Sequence, residues 1–346
     1  MASYSFKLLS RTFGLASLSL VSACSLAAQT NLTGAGATFP APIYQKWFSE
    51  YQSVGNVEIN YQPNGSGGGI KSVTEGTVDF GASDMPMTDE QLKAFKEKNG
   101  YGILLFPTVL GAAVPTYHVP GVTQDLKFTP QALAGIFLGK ITTWNDPQIA
   151  KANPGVKLPS GKIVVVHRSD GSGTTFCWTD YLSKVSPEWS SKVGRNSSVS
   201  WPTGLGAKGN DGVAGILKQQ EGSIGYVELI YAVKNHLSYG QVQNKSGEFV
   251  KASLASVTAA AAAVKDMPSD FRISITDQAG KGVYPISTYT WLLVPAKTSD
   301  ANKAKALAGF LKWAVTTGQG SVEALQYAKL PKAVVASEQK QIALIK

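Results

Sequence analysis

Short β-rich runs alternate along the chain with segments whose apolar positions recur at helical spacing. Runs rich in Val, Ile, Phe and Tyr predict strands at residues 57–61, 78–82 and 163–166. Ile43, Trp47 and Tyr51 recur every four residues, which predicts a helix with one apolar face. The same pattern predicts helices at Trp178, Tyr181, Leu182 and Val185 and at Leu307, Phe310, Leu311 and Ala314. This alternation predicts an α/β fold.

Local signals add detail to this pattern. Thr88 with Gln91 forms a capping-box sequence at the start of another helix, and the alanine run at 259–263 predicts a short helix. Two apolar strand-like runs, at 104–110 and 284–288, are candidates to carry the chain between two lobes, the second run returning it to the first lobe.

Chain length favours two domains. At 346 residues the chain exceeds one ordinary core. It has no run of roughly 18 uninterrupted apolar residues, the length that a membrane span requires. We therefore predict that the mature form does not cross a membrane.

The first 28 residues have the pattern of a secretory signal. Lys7 and Arg11 precede a mostly apolar run at 13–23, and small residues follow as far as Ala28. Cleavage after Ala27 or Ala28 is one interpretation. The other is lipoprotein processing, because residues 21–24 fit a lipobox ending at Cys24. Both routes place the mature protein outside the cytoplasm.

The two cysteines predict no disulfide. Cys24 is removed or lipidated with the signal, which leaves Cys177 without a partner. Because aromatic residues surround Cys177 in the sequence, we expect it to be a small buried apolar residue and not a reactive thiol.

Net charge restricts the class of ligand. The formal charge is +9, and removal of Lys7 and Arg11 leaves +7 because no acidic residue precedes Glu50. The lysines are scattered and form no runs, which argues against a nucleic-acid partner. A small anion is compatible with this charge, although much of it can serve solubility alone.

Three segments rich in glycine and small residues each precede a predicted helix, at 34–40, 64–69 and 170–174. A helix start has unpaired N–H groups and a partial positive charge, so glycine there lets the backbone approach an oxyanion, while Ser and Thr add hydroxyl donors. One such loop is most often an ordinary turn or cap. Three together favour an anion site.

Two charged residues stand beside these loops. Arg168 ends a predicted strand and can grip an oxyanion with two parallel hydrogen bonds, with Asp170 orienting it. A surface ion pair is the alternative interpretation. Asp84 follows the predicted strand at 78–82, where an aspartate is usually a turn residue. It becomes functional if the ligand is an anion that keeps a proton, because a carboxylate can accept that hydrogen bond.

This condition separates phosphate from sulfate. Phosphate keeps at least one proton near neutral pH, whereas sulfate has none and is repelled by a carboxylate. An unmade buried hydrogen bond costs roughly 1–3 kcal/mol, and more for charged groups, so Asp84 alone can discriminate the two anions by roughly a hundredfold or more.

Five segments together carry a family resemblance, at 32–42, 78–84, 168–174, 206–212 and 222–228. They closely resemble the periplasmic phosphate-binding proteins of high-affinity phosphate ABC transporters, over nearly the whole mature chain. The resemblance implies a two-lobed, hinged α/β periplasmic binding protein of type II. It places residues 30–107 plus 287–346 in lobe I, residues 108–286 in lobe II, and the ligand between the lobes.

The resemblance also implies the site residues. Backbone donors would be Thr38 and Phe39, with Thr38 also using its hydroxyl, and Ser66 would act through hydroxyl and amide. Asp84 would accept the phosphate proton, and Arg168 would supply the cationic fork. The remaining members would be Asp170, which holds the arginine, and Ser172, Gly173 and Thr174, which complete the cage.

Two departures lie beside these residues. Gly67 stands where many relatives have a second serine, and His167 precedes the arginine where a relative can have arginine. The resemblance further implies a monomeric periplasmic protein without metal or cofactor. Its partners would be the permease subunits and, through them, the ATPase subunits of an importer.

Other functions remain as alternatives. A phosphohydrolase has weak support, because His118, His167 and His236 are the only histidines and no G-x-S-x-G motif or Gly-Lys-Ser/Thr phosphate loop is present. The same binding fold can instead take sulfate, molybdate or a related oxyanion, with Asp84 as the discriminating residue. A third alternative is a sensor or surface adhesin that uses the cage without a transporter.

Overall fold

The computed structural model describes residues 1–3, 5 and 29–346 as alternating strands and helices. The strands are β1 Thr30–Gly36, β2 Val57–Gln62, β3 Phe80–Ser83, β4 Ile103–His118, β5 Lys127–Phe128, β6 Val164–Arg168, β7 Leu205–Ala207, β8 Ser223–Glu228, β9 Ser238–Tyr239, β10 Gln241–Gln243, β11 Phe249–Val250 and β12 Ser287–Pro295. The helices are α1 Ala41–Gly55, α2 Ser66–Glu75, α3 Asp89–Asn99, α4 Pro130–Phe137, α5 Pro147–Ala152, α6 Gly173–Val185, α7 Pro187–Lys192, α8 Gly209–Gln219, α9 Leu229–Lys234, α10 Leu254–Ala262, α11 Ala301–Ala314 and α12 Lys332–Ile342. The apolar run of the predicted signal, with Cys24, lies outside the described residues.

The helices predicted from apolar spacing are confirmed as α1, α6 and α11. The capping box is also confirmed, because the Gln91 amide donates to the Thr88 hydroxyl at 3.3 Å and the Thr88 amide donates to the Gln91 side chain at 3.0 Å. Strand bounds differ more. β3 begins only at Phe80, and β12 begins at Ser287, so residues 284–286 precede the strand.

One long sheet links the two ends of the fold, in the order β2-β1-β3-β12-β4-β8-β6-β7, with β9 also paired to β4. The strands β1, β2 and β3 are parallel, as are β6, β7 and β8. Strand β4 joins these groups, since Ile103–Ala112 pairs with β12 and Ala113–His118 pairs with β8, both antiparallel. The C-terminal strand β12 lies between β3 and β4.

Large aromatic side chains fill the interior on both sides of strand β4, which joins the two groups of parallel strands. Trp47 and Trp291 are fully buried near the first strands, and Trp178 is fully buried near β8, where it stacks on Tyr226. Cys177 is buried, as expected for a small apolar residue. Within the described residues, none of the helices has both the length and the apolar character to cross a membrane.

Candidate functional site

Four helix N-termini come together at the ends of strands from the two parallel groups. They are the starts of α1, α2, α6 and α8, each of which follows a strand. Direct hydrogen bonds join their loops: the Gly67 amide donates to the Gly171 carbonyl at 2.9 Å, and the Gly173 amide donates to the Ser66 hydroxyl at 2.9 Å. Because each N-terminus carries a partial positive charge, their convergence favours an anion.

Glycine makes this close approach possible. Gly36 has φ +143, and a Cβ there would lie 2.1 Å from the Ala82 carbonyl oxygen. A Cβ on Gly173 would lie 2.6 Å from both the Asp84 Cβ and the Ser66 Oγ. No side chain fits at either position without displacing the neighbouring strand β3 or the loop that follows it.

Arg168 provides a buried cation at the end of β6. Its Nε and Nη2 donate to the two carboxylate oxygens of Asp170, at 2.7 and 2.5 Å. The Gly209 amide at the start of α8 donates to the same carboxylate at 3.0 Å. Burial raises the pKa of Asp170, but the hydrogen bonds and charge of Arg168 outweigh this effect and hold the pKa below its usual value. The aspartate therefore fixes the guanidinium plane as a charged partner.

Asp84 follows β3 and is only 1% exposed. Thr290, on β12, donates to its Oδ1 at 2.8 Å. Burial raises the pKa of this carboxyl to about 7, although the Thr290 hydrogen bond and the Arg168 charge oppose the shift. A carboxyl that titrates near neutral pH can share a proton with a bound anion.

The Ser66 hydroxyl is restricted to the role of a donor. Its oxygen accepts from the Gly173 amide at 2.9 Å and from the Asp84 amide at 3.2 Å. A hydroxyl has two lone pairs and one proton, so these bonds leave only the proton available. The oxygen lies 3.5 Å from Asp84 Oδ2, a long contact that a better acceptor can replace.

Tyrosine hydroxyls fix the loop before α1. Tyr231 donates to the Thr38 carbonyl and Tyr327 donates to the Phe39 carbonyl, each at 2.6 Å. Thr38 is 5% exposed and Phe39 is fully buried. The peptide groups predicted to donate to the anion are therefore held in place from distant parts of the chain.

The loop before α6 uses part of its hydrogen-bonding capacity internally. Ser172 is the N-cap of α6: its Oγ accepts from the Thr175 amide at 3.0 Å, and its own amide donates to the Ser197 carbonyl at 2.8 Å. Its amide is therefore not available to a ligand, whereas its hydroxyl keeps the proton and one lone pair. The Thr174 hydroxyl is buried and lies 3.5 Å from Arg168 Nη1.

All nine residues predicted from the sequence thus lie in one region, linked by hydrogen bonds between loops that are far apart in the chain, and all but the partly exposed Asp170 are buried. Together they present hydroxyl and arginine donors and the Asp84 carboxyl. Asp170 is already occupied by Arg168. The arrangement suits an oxyanion that accepts many hydrogen bonds and donates one.

Comparison with known proteins gives the family. The model of the PBP superfamily domain matches residues 22–317. The phosphate-binding protein PstS of Xylella fastidiosa is 45% identical over 306 residues, which cover 88% of this chain and 82% of that protein. PstS of Pasteurella multocida is also 45% identical, over 316 residues that cover 91% of this chain and 90% of that protein. The chain belongs to the PstS family of phosphate-binding proteins.

A solved structure supports the fold of this PstS family member. A high-affinity periplasmic phosphate-binding protein, PfluDING, bound with phosphate, matches with a TM-score of 0.74 and 22% identity, over 90% of this chain and 93% of that one. At this identity the likeness concerns the fold, which is the two-lobed α/β fold of periplasmic binding proteins.

Sequence reasoning missed Asn210, the second residue of α8 in this PstS family member. It is fully buried, and its side-chain amide donates to the Thr38 hydroxyl at 2.8 Å. The segment 206–212 contributed to the resemblance, but its polar residue received no role. Thr290, Tyr231 and Tyr327 were also missed, because nothing local in the sequence marks them as neighbours of these loops.

Proposed function

We propose that the chain is an extracytoplasmic solute-binding protein that captures inorganic phosphate and delivers it to an ABC phosphate importer. The observation that most directly supports this proposal is a site in which the Ser66 hydroxyl can only donate a hydrogen bond, beside the buried Asp84 carboxyl. Phosphate accepts hydrogen bonds from Arg168 and the hydroxyls while it donates its remaining proton to Asp84. The PstS relatives, which are named phosphate-binding proteins, support the same ligand.

We assign residues 30–107 plus 287–346 to lobe I and residues 108–286 to lobe II, after a signal segment at 1–28. The change of partner along β4, from β12 to β8 between Ala112 and Ala113, supports a boundary within this strand, a few residues beyond the proposed one. In this proposal open and closed lobes exchange about a hinge, phosphate stabilises the closed form, and the closed form docks on the importer. ATP-driven opening then releases the ligand.

The proposed partners are the permease subunits and, through them, the ATPase subunits, with the binding protein acting as a periplasmic monomer, anchored through Cys24 if that residue is lipidated. We propose no catalytic activity, because both lone pairs of the Ser66 hydroxyl accept from amides, which leaves no lone pair free for nucleophilic attack. Among the described residues no group of three or more His, Cys, Asp and Glu side chains is arranged to hold a metal.

The test is isothermal titration of the exported protein, stripped of bound ligand, first with phosphate and then with sulfate at neutral pH. Tight binding of one phosphate per protein with no sulfate heat is the expected result. Sulfate binding, or no heat with either anion, would contradict phosphate capture.

Selectivity against sulfate is expected to increase with pH. Sulfate brings no proton, so it needs a protonated Asp84, and the raised pKa of about 7 provides one below neutral pH. Above pH 7 sulfate affinity should fall roughly tenfold per pH unit, since one pKa unit corresponds to a factor of ten. Phosphate affinity should stay level over the same range. Titrations of both anions from pH 6 to pH 9 measure the ratio, and a ratio independent of pH would contradict this role of Asp84.

We expect a side chain at Gly67 to hinder the close approach of the two loops around the ligand. A Cβ at this position would lie 3.2 Å from the Gly171 Cα, closer than ordinary contact, so the two loops must separate by a few tenths of an ångström. Gly67→Ala should weaken phosphate binding roughly fivefold, about 1 kcal/mol, as expected for mild overpacking. Gly215→Ala, whose Cβ meets no atom within 4 Å, is the matched control. Equal affinities in the two variants would mean that the loops do not approach this closely around the ligand.

A further inference from the structure

A long segment without helix or strand, residues 263–286, connects α10 with β12. Loops longer than about 12–15 residues are uncommon in compact domains, and the ordered ones are usually functional. Within this segment Phe271 has φ +58, a backbone conformation that a bulky residue rarely adopts, and it is only 1% exposed. Contacts with the rest of the protein must therefore hold the chain in place here. We call residues 268–276 the strap.

A buried carboxylate ties the strap to α6. Asp180 is fully buried, and its Oδ2 accepts from the hydroxyls of Ser274 at 2.6 Å and Thr276 at 2.5 Å. Lys184, one turn further along α6, donates to the same two hydroxyls at 2.8 and 2.7 Å. Burial raises the pKa of Asp180, but the charge of Lys184 and the two hydroxyls outweigh this effect and hold the pKa below its usual value. The strap is thus fixed to the helix whose N-terminus borders the anion site.

The other side of the strap contacts the proposed lobe I at two points. The Trp291 indole of β12 donates to the Phe271 carbonyl at 3.0 Å. Arg272 Nη1 donates to the Met87 carbonyl at 3.1 Å and to the Asp89 carboxylate at 2.7 Å. Both of these partners lie between the end of β3 and the start of α3. One short segment is therefore bonded to both proposed lobes, outside the anion site.

The two contacts with lobe I differ in burial. Trp291 is fully buried, whereas the side chains of Arg272 and Asp89 are 26% and 83% exposed. A cavity of about 610 Å³ lies beside the arginine, lined by the loop after β3, by α6 and by the strap, so this face of the strap is loosely packed. Opening of the lobes can therefore break the Arg272 contacts at small cost, while the Trp291 bond acts as a pivot.

We propose that the strap is a latch that holds the two lobes closed from outside the anion site, with Arg272 as its releasable contact. The inference rests on the proposed phosphate function and adds a control of release. In this structure the loops at Gly67 and Gly171 are in direct contact, and the Arg272 bonds are formed at the same time. These bonds oppose opening without touching the ligand. The latch should thus slow the departure of any bound anion by the same factor and leave its entry unaffected.

The experiment compares phosphate release from the exported wild-type protein, Arg272→Ala and Asp89→Asn. Stopped-flow tryptophan fluorescence measures the association rate constant, isothermal titration measures the dissociation constant, and their product is the dissociation rate constant. Arg272→Ala loses both bonds and should release phosphate about tenfold faster, with association within about twofold of wild type. Asp89→Asn loses only the exposed ion pair, so its release should be about twofold faster. Arsenate should give the same factors, because the latch does not contact the anion.

Lys303→Ala is the matched control, because Lys303 forms a partly buried ion pair with Asp79 at 2.8 Å and both residues belong to the proposed lobe I. Its dissociation rate should equal that of the wild type. The double variant of Arg272→Ala and Asp89→Asn should release phosphate no faster than Arg272→Ala alone. Equal dissociation rates in Arg272→Ala and the control, or an effect on the association rate alone, would overturn the latch. A wild-type protein that binds neither anion would instead contradict the proposed function.

Discussion

Replacing Arg168 with alanine is expected to weaken phosphate binding at least a hundredfold. The arginine side chain is 1% exposed and is paired with Asp170, which is itself 11% exposed. Truncating one partner of a buried, charged contact between protein and ligand costs about 3–5 kcal/mol of binding free energy, and here the remaining carboxylate of Asp170 would also repel the anion. This free energy corresponds to a factor of about a hundred or more in the dissociation constant. Isothermal titration with phosphate and arsenate measures the loss.

Two control variants separate the arginine's geometry from its charge. Lys157→Ala removes one exposed positive charge and should leave affinity within about twofold, because surface charges are screened. Arg168→Lys keeps the charge but cannot form the two-pronged contact with Asp170. Its phosphate affinity should therefore lie between those of Arg168→Ala and Lys157→Ala. If Arg168→Ala bound phosphate with wild-type affinity, the assignment of the whole phosphate site would be wrong.

Replacing Asp84 with asparagine is expected to reduce selectivity for phosphate over sulfate at least a hundredfold at pH 8. The amide carries no charge to repel sulfate. Since Thr290 donates to one oxygen at this position, the amide oxygen should take that bond, and its NH₂ group can then donate to the bound anion. An unmade charged hydrogen bond costs about 3 kcal/mol, which supports a change of this size. Competition titrations with both anions measure the ratio, and unchanged discrimination would exclude Asp84 from this role.

Stability provides an internal check on the same variant. The folded-state pKa of Asp84 is raised to about 7, above the unfolded value near 3.8, so ionisation between these pH values lowers the stability of the unliganded protein. The stabilisation is complete below pH 3.8 and is lost as pH rises through 7. Asp84→Asn should therefore melt at a higher temperature than the wild type at pH 8. Asp266→Asn, at an exposed site, should not.

Local patterns predicted the helices well, because each helix carries its own signal. The spacing of Ile43, Trp47 and Tyr51 marks the buried face of α1, and all three side chains are buried. Strand bounds were less accurate, since pairing partners decide where a strand begins. Residues 284–286 are apolar and resemble a strand, yet β12 begins at Ser287, where its pairing with Ala112 of β4 starts.

The same distinction applies to the site. Its glycine loops, Arg168 and Asp84 were recognisable from short motifs and from the family resemblance. The residues that determine how those groups act are distant in sequence: Thr290 lies 206 positions from Asp84, and Asn210 lies 172 positions from Thr38. Which lone pair of a hydroxyl is occupied depends on such contacts, and no local spacing encodes it.

The position of β12 has a consequence for the order of folding. This strand lies between β3 and β4, so the sheet that begins with β1 has a gap until residues 287–295 are available. A chain that crosses the membrane from its N-terminus can complete the pairing of β4 with β8 and of β8 with β6 beforehand. The N-terminal part of the sheet is therefore synthesised first but completed last. The edge of β3 that later pairs with β12 stays unpaired while some 200 further residues are synthesised. Such a long sequence separation slows folding and exposes the strand to aggregation. A folding helper that covers exposed strand edges would therefore act on the N-terminal half of this protein.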